Sequence, residues 1–162
     1  MKKPAPTLSH LDAEGRPGMV DVGSKSPTAR TARAEAIVDF TPALARALRR
    51  TGRSAKGNVL DTARVAGVLA AKKTAELIPL CHSLPLDHVD VQGHWKGSSL
   101  VLTSTASCRG ATGVEMEALT AVGLAALTVY DMCKAVDKGL VIRAIRLLEK
   151  TGGKSGTFRA EK

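Results

Sequence analysis

The chain has 162 residues, 44% hydrophobic and 24% charged, which fits one globular domain with a single core and argues against a disordered chain. Its formal net charge of +9 favours an anionic partner, but an aromatic content of 2% leaves few platforms for stacking the bases of nucleic acids. Three widely spaced cysteines, no signal-peptide pattern and no uncharged apolar run of about 18 residues predict a cytoplasmic protein that contacts no membrane and has no disulfide framework.

The N-terminal part of the chain is predicted to be an arm followed by a strand. Residues 1–30 are rich in Lys, Pro, Ser, Thr and Gly and show no sustained period, so we interpret them as a flexible arm. Within this arm, residues 19–22 are the candidate for local order. Residues 31–40 alternate between apolar and polar side chains, a pattern typical of a strand. A single domain is expected to span residues 31–158.

Two helices are predicted to follow the first strand. One runs over about residues 42–50, begins with Thr41 as its N-cap and ends at Gly52. The other covers about residues 59–77, with Asn58 as its cap. An apolar loop interrupted by two prolines comes next.

The second half of the chain is predicted to contain a hairpin, a long helix and a final strand. The hairpin strands lie at about 87–95 and 99–108, the helix at about 114–136, and the last strand at about 141–149. The resulting order is typical of an α+β fold of the ferredoxin-like βαββαβ type. It predicts an antiparallel sheet with helices on one face, and a second subunit could cover the other face.

The long helix is apolar in its middle and charged at both ends. Glu115 and Glu117 lie at its start, and Asp131 and Lys134 lie near its end. Each pair has an ordinary structural interpretation, because acidic residues suit a helix N-terminus and residues three apart form surface ion pairs. However, no other charge occurs between Ala118 and Tyr130, which favours a functional role for both pairs.

Helix geometry separates these two pairs of charges. Glu117 and Asp131 lie within about 40° of one helix face but about 21 Å apart along the axis. One small-molecule site does not span that distance on one helix. If all of these charges serve one site, two copies of the helix must meet. We therefore predict an active site at the interface of a homo-oligomer.

Other polar residues are candidates for binding or metal ligation. His82 in the apolar loop is either a hydrogen-bonded structural residue or a donor to phosphate. Cys81, His82, His88 and His94 form a conceivable zinc set whose spacing matches no strong zinc pattern, so no metal site is expected. The basic residues that could bind a polyphosphate are Lys56, Arg64, Lys72, Lys73, Arg109, Lys150 and Lys154.

Six stretches together resemble the cyclic pyranopterin monophosphate synthase family of molybdenum-cofactor biosynthesis, over about residues 8–158. They are Met19-Val-Asp-Val22, Ala70-Ala-Lys-Lys-Thr74, Leu77-Ile-Pro-Leu-Cys-His82, Thr112-Gly-Val-Glu-Met-Glu-Ala-Leu-Thr120, Leu127-Thr-Val-Tyr-Asp-Met-Cys-Lys-Ala135 and Lys150-Thr-Gly-Gly-Lys-Ser-Gly156. The blocks from the long helix are long and specific. The loop departs from the family at Ser83, where the family commonly has proline.

The resemblance implies a lyase that converts (8S)-3',8-cyclo-7,8-dihydroguanosine 5'-triphosphate to cyclic pyranopterin monophosphate and releases diphosphate. It implies that a radical S-adenosylmethionine enzyme acts upstream. It also implies a hexamer built as a trimer of dimers with sites at the dimer interfaces. We expect no required cofactor, although a divalent cation could accompany the triphosphate.

The resemblance also assigns site residues by motif. It implies that Asp131 and Lys134 are catalytic, and we expect a lowered pKa to let Lys134 act as a base. The residues implied to bind substrate are Lys56, Leu80, Cys81, His82, Glu115, Met116, Glu117 and Lys150. The alternative interpretation is a basic ferredoxin-like module that binds nucleotide or nucleic acid without catalysis.

Overall fold

The computed structural model describes residues 14–161, so the first part of the predicted arm, residues 1–13, lies outside the described residues. The elements in chain order are β1 (Thr28–Asp39), α1 (Pro42–Thr51), β2 (Arg53–Ser54), β3 (Gly57–Asn58), α2 (Val59–Lys72), α3 (Thr74–Leu77), β4 (Leu86–Lys96), β5 (Ser99–Gly110), α4 (Glu115–Cys133), β6 (Val141–Thr151) and β7 (Phe158–Arg159).

The main sheet has five strands in the order β4-β5-β1-β6-β7, and all of its neighbours pair antiparallel. The four long strands alone follow the spatial order of a ferredoxin-like sheet, with the first strand between the third and the fourth. Helices α2 and α4 pack against each other and on the sheet. The predicted α+β ferredoxin-like fold is therefore confirmed.

Several boundaries differ from the sequence-based expectation. Strand β1 begins at Thr28, inside the predicted arm, because its pairing with β5 extends to Gly110. The helix predicted over 59–77 is two helices, because Lys73 adopts φ −110° and ψ 10° and interrupts the α-helical path. The short strands β2, β3 and β7 were not predicted, since two-residue strands carry no detectable period.

The predicted helix ends are mostly correct. Gly52 has φ 66° and its N–H donates to the carbonyl of Leu48, which ends α1. The Asn58 side chain accepts a hydrogen bond of 3.1 Å from the backbone N–H of Asp61 and caps α2. Thr41 occupies the N-cap position of α1, but its side chain makes no capping hydrogen bond.

The core is built from small side chains that allow close packing. One face of β1 buries Ala32, Ala34 and Ala36 under helix α4. The buried hydroxyl of Ser104 on β5 donates a 2.6 Å hydrogen bond to the carbonyl of Ala118 and fixes α4 to the sheet. Helix α4 has the length and a mean hydropathy of 1.3 that would suit a membrane span, but 56% of it is buried, as in a core helix.

Gly67 lies where α2 packs tightly against α4 and β4. A Cβ atom at this position would lie 2.8 Å from the carbonyl oxygen of Ala121 and 2.8 Å from a methyl group of Val91. We therefore expect Gly67→Ala to lower the free energy of unfolding by about 1–3 kcal/mol, despite the helix propensity of alanine. Urea denaturation measures the change. Gly18→Ala is the control, because a Cβ there meets no atom within 4 Å; equal stability of both variants would contradict the packing.

Candidate active site

The sequence-predicted site residues form two groups at opposite ends of α4. We name Lys56, Asp131 and Lys134 the C-terminal cluster. The N-terminal cluster comprises Leu80, Cys81, His82, Glu115, Met116, Glu117 and Lys150. The rise of the helix separates the two clusters by about 21 Å, so one chain does not bring them together.

Asp131 is the centre of the C-terminal cluster. Its carboxylate lies 2.6 Å from the Nζ of Lys56 and 2.8 Å from the Nζ of Lys134. Lys56 Nζ also donates a 3.0 Å hydrogen bond to the backbone carbonyl of Asp131. Lys56 reaches this position from the turn between β2 and β3, where its backbone N–H donates to the hydroxyl of Ser54. The cluster thus joins the end of α4 to a turn 75 residues away in sequence.

The two lysines set the protonation of the C-terminal cluster. The hydrogen bond from Lys134, followed by that from Lys56, lowers the pKa of Asp131 to about 2. Conversely, the hydrogen bond to Asp131 raises the pKa of Lys134. The expected lowering of the Lys134 pKa is therefore wrong for this arrangement, because the nearest charge is a carboxylate rather than a cation. The cluster therefore presents an ionised carboxylate beside protonated ammonium groups.

Most of the N-terminal cluster surrounds one cavity of about 430 Å³. Its walls are the loop at residues 80–84, the start of α4 and part of the arm. His82 Nε2 donates a 2.9 Å hydrogen bond to the backbone carbonyl of Val20. Val20, Val22 and Lys25 thereby line the same cavity as the loop. This part of the arm, residues 20–25, therefore forms one wall of the cavity.

Glu117 is the buried carboxyl group of the N-terminal cluster. Only 4% of its surface is exposed. Burial raises its pKa, and the neighbouring charge of Glu115 raises it further. Burial likewise raises the pKa of the Cys81 thiol, so Cys81 is suited to contact rather than to nucleophilic attack.

A second, larger cavity of about 950 Å³ adjoins the first and shares Lys25, Thr112, Gly113 and Glu115 with it. Its remaining cations are Arg30, Lys150 and Lys154. Arg30 donates 3.3 Å hydrogen bonds to the carbonyls of Gly110 and Ala111. The ammonium group of Lys150 donates a hydrogen bond to the hydroxyl oxygen of Ser155, and this bond holds the glycine-rich loop beside Lys150. Among the described residues that line this cavity, four cations face one carboxylate, that of Glu115, and such a balance of charge suits a polyphosphate.

Sequence reasoning missed Lys25 and Arg30. Lys25 follows the patch at 19–22 by three residues, and extending the β1 alternation back to Thr28 would have placed Arg30 on a strand.

Two of the other basic candidates form ion pairs instead. Arg64 pairs with Asp90 at 3.5 Å, and Lys73 pairs with Glu76 at 3.8 Å. Within residues 14–161, no group of three or more His, Cys, Asp or Glu side chains is arranged to hold a metal ion.

The raised pKa of Glu117 gives a pH-dependent stability. The folded chain binds the proton of the Glu117 carboxyl more tightly than the unfolded chain does. The free energy of unfolding therefore falls as the pH rises from the ordinary pKa of glutamate to the raised pKa of Glu117 and beyond it. Because glutamine does not titrate, we expect Glu117→Gln to gain stability relative to wild type between pH 4 and pH 8. Urea denaturation across this range measures the gain. Glu161→Gln is the control, since Glu161 is exposed and lines neither cavity; parallel curves of stability against pH for both variants would contradict the effect of burial.

The chain matches known proteins over nearly its whole length. The model of the MoaC family matches residues 19–153. A cyclic pyranopterin monophosphate synthase of Chloroflexus aggregans is 56% identical over 156 residues, which cover 95% of this chain and 94% of that protein. The synthase of Novosphingobium aromaticivorans is 54% identical over 94% of this chain and 97% of that protein. The synthase of Methylobacterium nodulans is also 54% identical, over 96% of this chain and 98% of that protein. The chain therefore belongs to the MoaC family.

Proposed function

We propose that this protein is a cyclic pyranopterin monophosphate synthase, a lyase of molybdenum-cofactor biosynthesis. Its substrate is the cyclised guanosine triphosphate, and its products are cyclic pyranopterin monophosphate and diphosphate. The identity to synthases over almost the whole chain supports this function most strongly. The basic cavity beside the N-terminal cluster supplies the physical reason, since it can neutralise a triphosphate.

The two adjoining cavities divide the substrate between them. In our proposal, Lys25, Arg30, Lys150 and Lys154 hold the triphosphate in the larger cavity. The smaller cavity receives the purine-derived ring against the N-terminal cluster. Its residues Leu80, Cys81, His82, Glu115, Met116 and Glu117 contact that ring or orient it. Closing the cyclic phosphate expels diphosphate, and cations stabilise the charge that develops on it.

Asp131 and Lys134 perform the proton transfers in this proposal. Ring rearrangement requires protons to be removed at one atom and delivered at another. Asp131 is ionised across physiological pH because its pKa is about 2. It becomes a stronger base when a substrate phosphate draws Lys56 away from it, and it then accepts a proton. Lys134, which the carboxylate keeps protonated, donates one. Lys56 holds the Asp131 carboxylate in place and contacts a phosphate once substrate enters.

The proposed site needs two copies of the chain. The clusters lie at opposite ends of α4, so a complete site combines the N-terminal cluster of one subunit with the C-terminal cluster of another. A two-fold arrangement of α4 helices produces two such sites per dimer. We propose a homo-oligomer, namely a hexamer built as a trimer of dimers.

The proposal also covers the cellular setting of the reaction. The protein works in the cytoplasm, where its three free cysteines stay reduced. A radical S-adenosylmethionine enzyme supplies the cyclised triphosphate. The protein requires no resident cofactor, and a divalent cation would arrive with the triphosphate as part of the substrate. Neither nucleic acid nor a membrane takes part.

Incubating the purified protein with the cyclised triphosphate tests the function. We expect release of diphosphate and formation of the cyclic monophosphate. Tight binding without diphosphate release would favour the non-catalytic nucleotide-binding alternative.

A nucleic-acid-binding module needs exposed aromatic side chains on its sheet. Here the centroids of the Trp95 and Phe40 rings lie 5.3 Å apart, and the guanidinium group of Arg49 lies 5.4 Å from the Trp95 ring centroid. The Trp95 ring therefore offers no free platform for stacking a base.

A further inference from the structure

A small cavity of about 80 Å³ lies beside the substrate cavity, under the junction of α2 and α3. Its lining is largely polar and includes Thr74, Glu76 and Ser83, with Ala75 among the few apolar residues. Glu76 and Ser83 are exposed, so this cavity reaches the surface. A polar cavity of this volume has room for about two to three water molecules, since each occupies about 30 Å³ in the liquid.

Glu117 connects the small cavity to the substrate cavity. It lines both of them, together with His82. The residue is 96% buried, since 4% of its surface is exposed. Within residues 14–161 its carboxyl receives no hydrogen bond from another residue, and only its own backbone amide favours the charged form. Apart from that amide, the carboxyl has only the space of the two cavities beside it, so water in a cavity is the ligand that can complete its hydrogen bonding.

We propose that the small cavity is a site for ordered water, and that this water hydrogen-bonds the Glu117 carboxyl and carries its proton to and from bulk solvent. Substrate in the neighbouring cavity would cover the other face of the carboxyl. The small cavity then leaves a route to the surface beside Glu76 and Ser83. This role rests on the proposed function, because that reaction moves protons while the substrate is bound.

The proton step is balanced without any further reactant. The O–H bond of the Glu117 carboxyl breaks, and the proton adds to a cavity water. That water passes a proton to solvent, and the reverse sequence reloads the carboxyl. The titratable groups that face Glu117 come from α4, the loop, β5, α2 and α3. They are Glu115, Cys81, His82, Cys108, Lys72 and Glu76.

Two measurements on the free protein test the site. The first is the nuclear Overhauser effect between water and the methyl groups of Thr74 and Ala75, which we expect to reveal a bound water. The second is the carbon-13 titration of the Glu117 carboxyl in Ala75→Leu, whose larger side chain fills the cavity. Loss of water destabilises the carboxylate, so we expect the pKa of Glu117 to rise by about one unit relative to wild type.

Ala47→Leu on α1 is the matched control, because Ala47 is exposed and lines neither cavity. It should leave the Glu117 titration unchanged. Ala75→Val replaces Ala75→Leu if the larger side chain prevents folding, and Ala75→Ser should restore the wild-type titration. Absence of the water signal, or identical Glu117 titrations in the filled and control variants, overturns the proposal. Neither measurement uses substrate, so a protein that releases no diphosphate refutes the proposed function and leaves the water site standing.

Discussion

Asp131→Asn is expected to lower kcat about 10³-fold while changing the affinity for the cyclised triphosphate less than tenfold. The amide has nearly the same shape as the carboxylate but does not accept a proton at neutral pH. It also leaves the ammonium groups of Lys56 and Lys134 without their 2.6 Å and 2.8 Å partner, and these cations still attract phosphate. Single-turnover kinetics and a binding titration separate the two effects.

Asp39→Asn is the control for this substitution. Asp39 also has a lowered pKa, caused first by the hydrogen bond from Arg143, but it lies at the end of β1, outside both clusters. Its replacement removes an ion pair of the same kind and should leave kcat within about twofold of wild type. Near-normal turnover of Asp131→Asn would remove Asp131 from the catalytic role.

Mixing two inactive variants is expected to restore activity when their substitutions lie at opposite ends of α4. A chain with Asp131→Asn lacks a working C-terminal cluster, and a chain with His82→Ala lacks a working N-terminal cluster. In a heterodimer one site combines both defects and the other has none. Random assembly therefore gives about one quarter of the wild-type number of sites. Co-expression, purification through two different tags and the diphosphate assay measure the recovery.

The control is a mixture of Asp131→Asn with Lys56→Ala. Both substitutions lie in the C-terminal cluster, so each site of that heterodimer retains one defect and stays inactive. Equal recovery in both mixtures would indicate residual activity of the variants or contaminating wild-type protein rather than a shared site. No recovery in either mixture would contradict an interface between opposite ends of α4.

The pattern of apolar and polar residues within each segment predicted most of the secondary structure. Alternation in β1 and the apolar middle of α4 are properties of neighbouring residues, and a glycine at position 52 ends a helix wherever that helix packs. The break at Lys73 was not predictable in this way, because an amphipathic pattern runs through it. The extension of β1 to Thr28 depends on a distant partner strand, since Thr28 pairs with Gly110 at the end of β5.

The sequence by itself determined the order of the elements, the ferredoxin-like class and the separation of charges along α4, because these depend on local periods and on helix rise. Only the tertiary structure decided which side chains meet. It brings Lys56 into hydrogen-bonding contact with Asp131, and His82 into hydrogen-bonding contact with Val20 of the arm. It also brings Lys25 and Arg30 to the cavity that Lys150 lines. These contacts join loops that lie far apart in the chain, and packing of the sheet and helices, rather than any local pattern, brings such loops together.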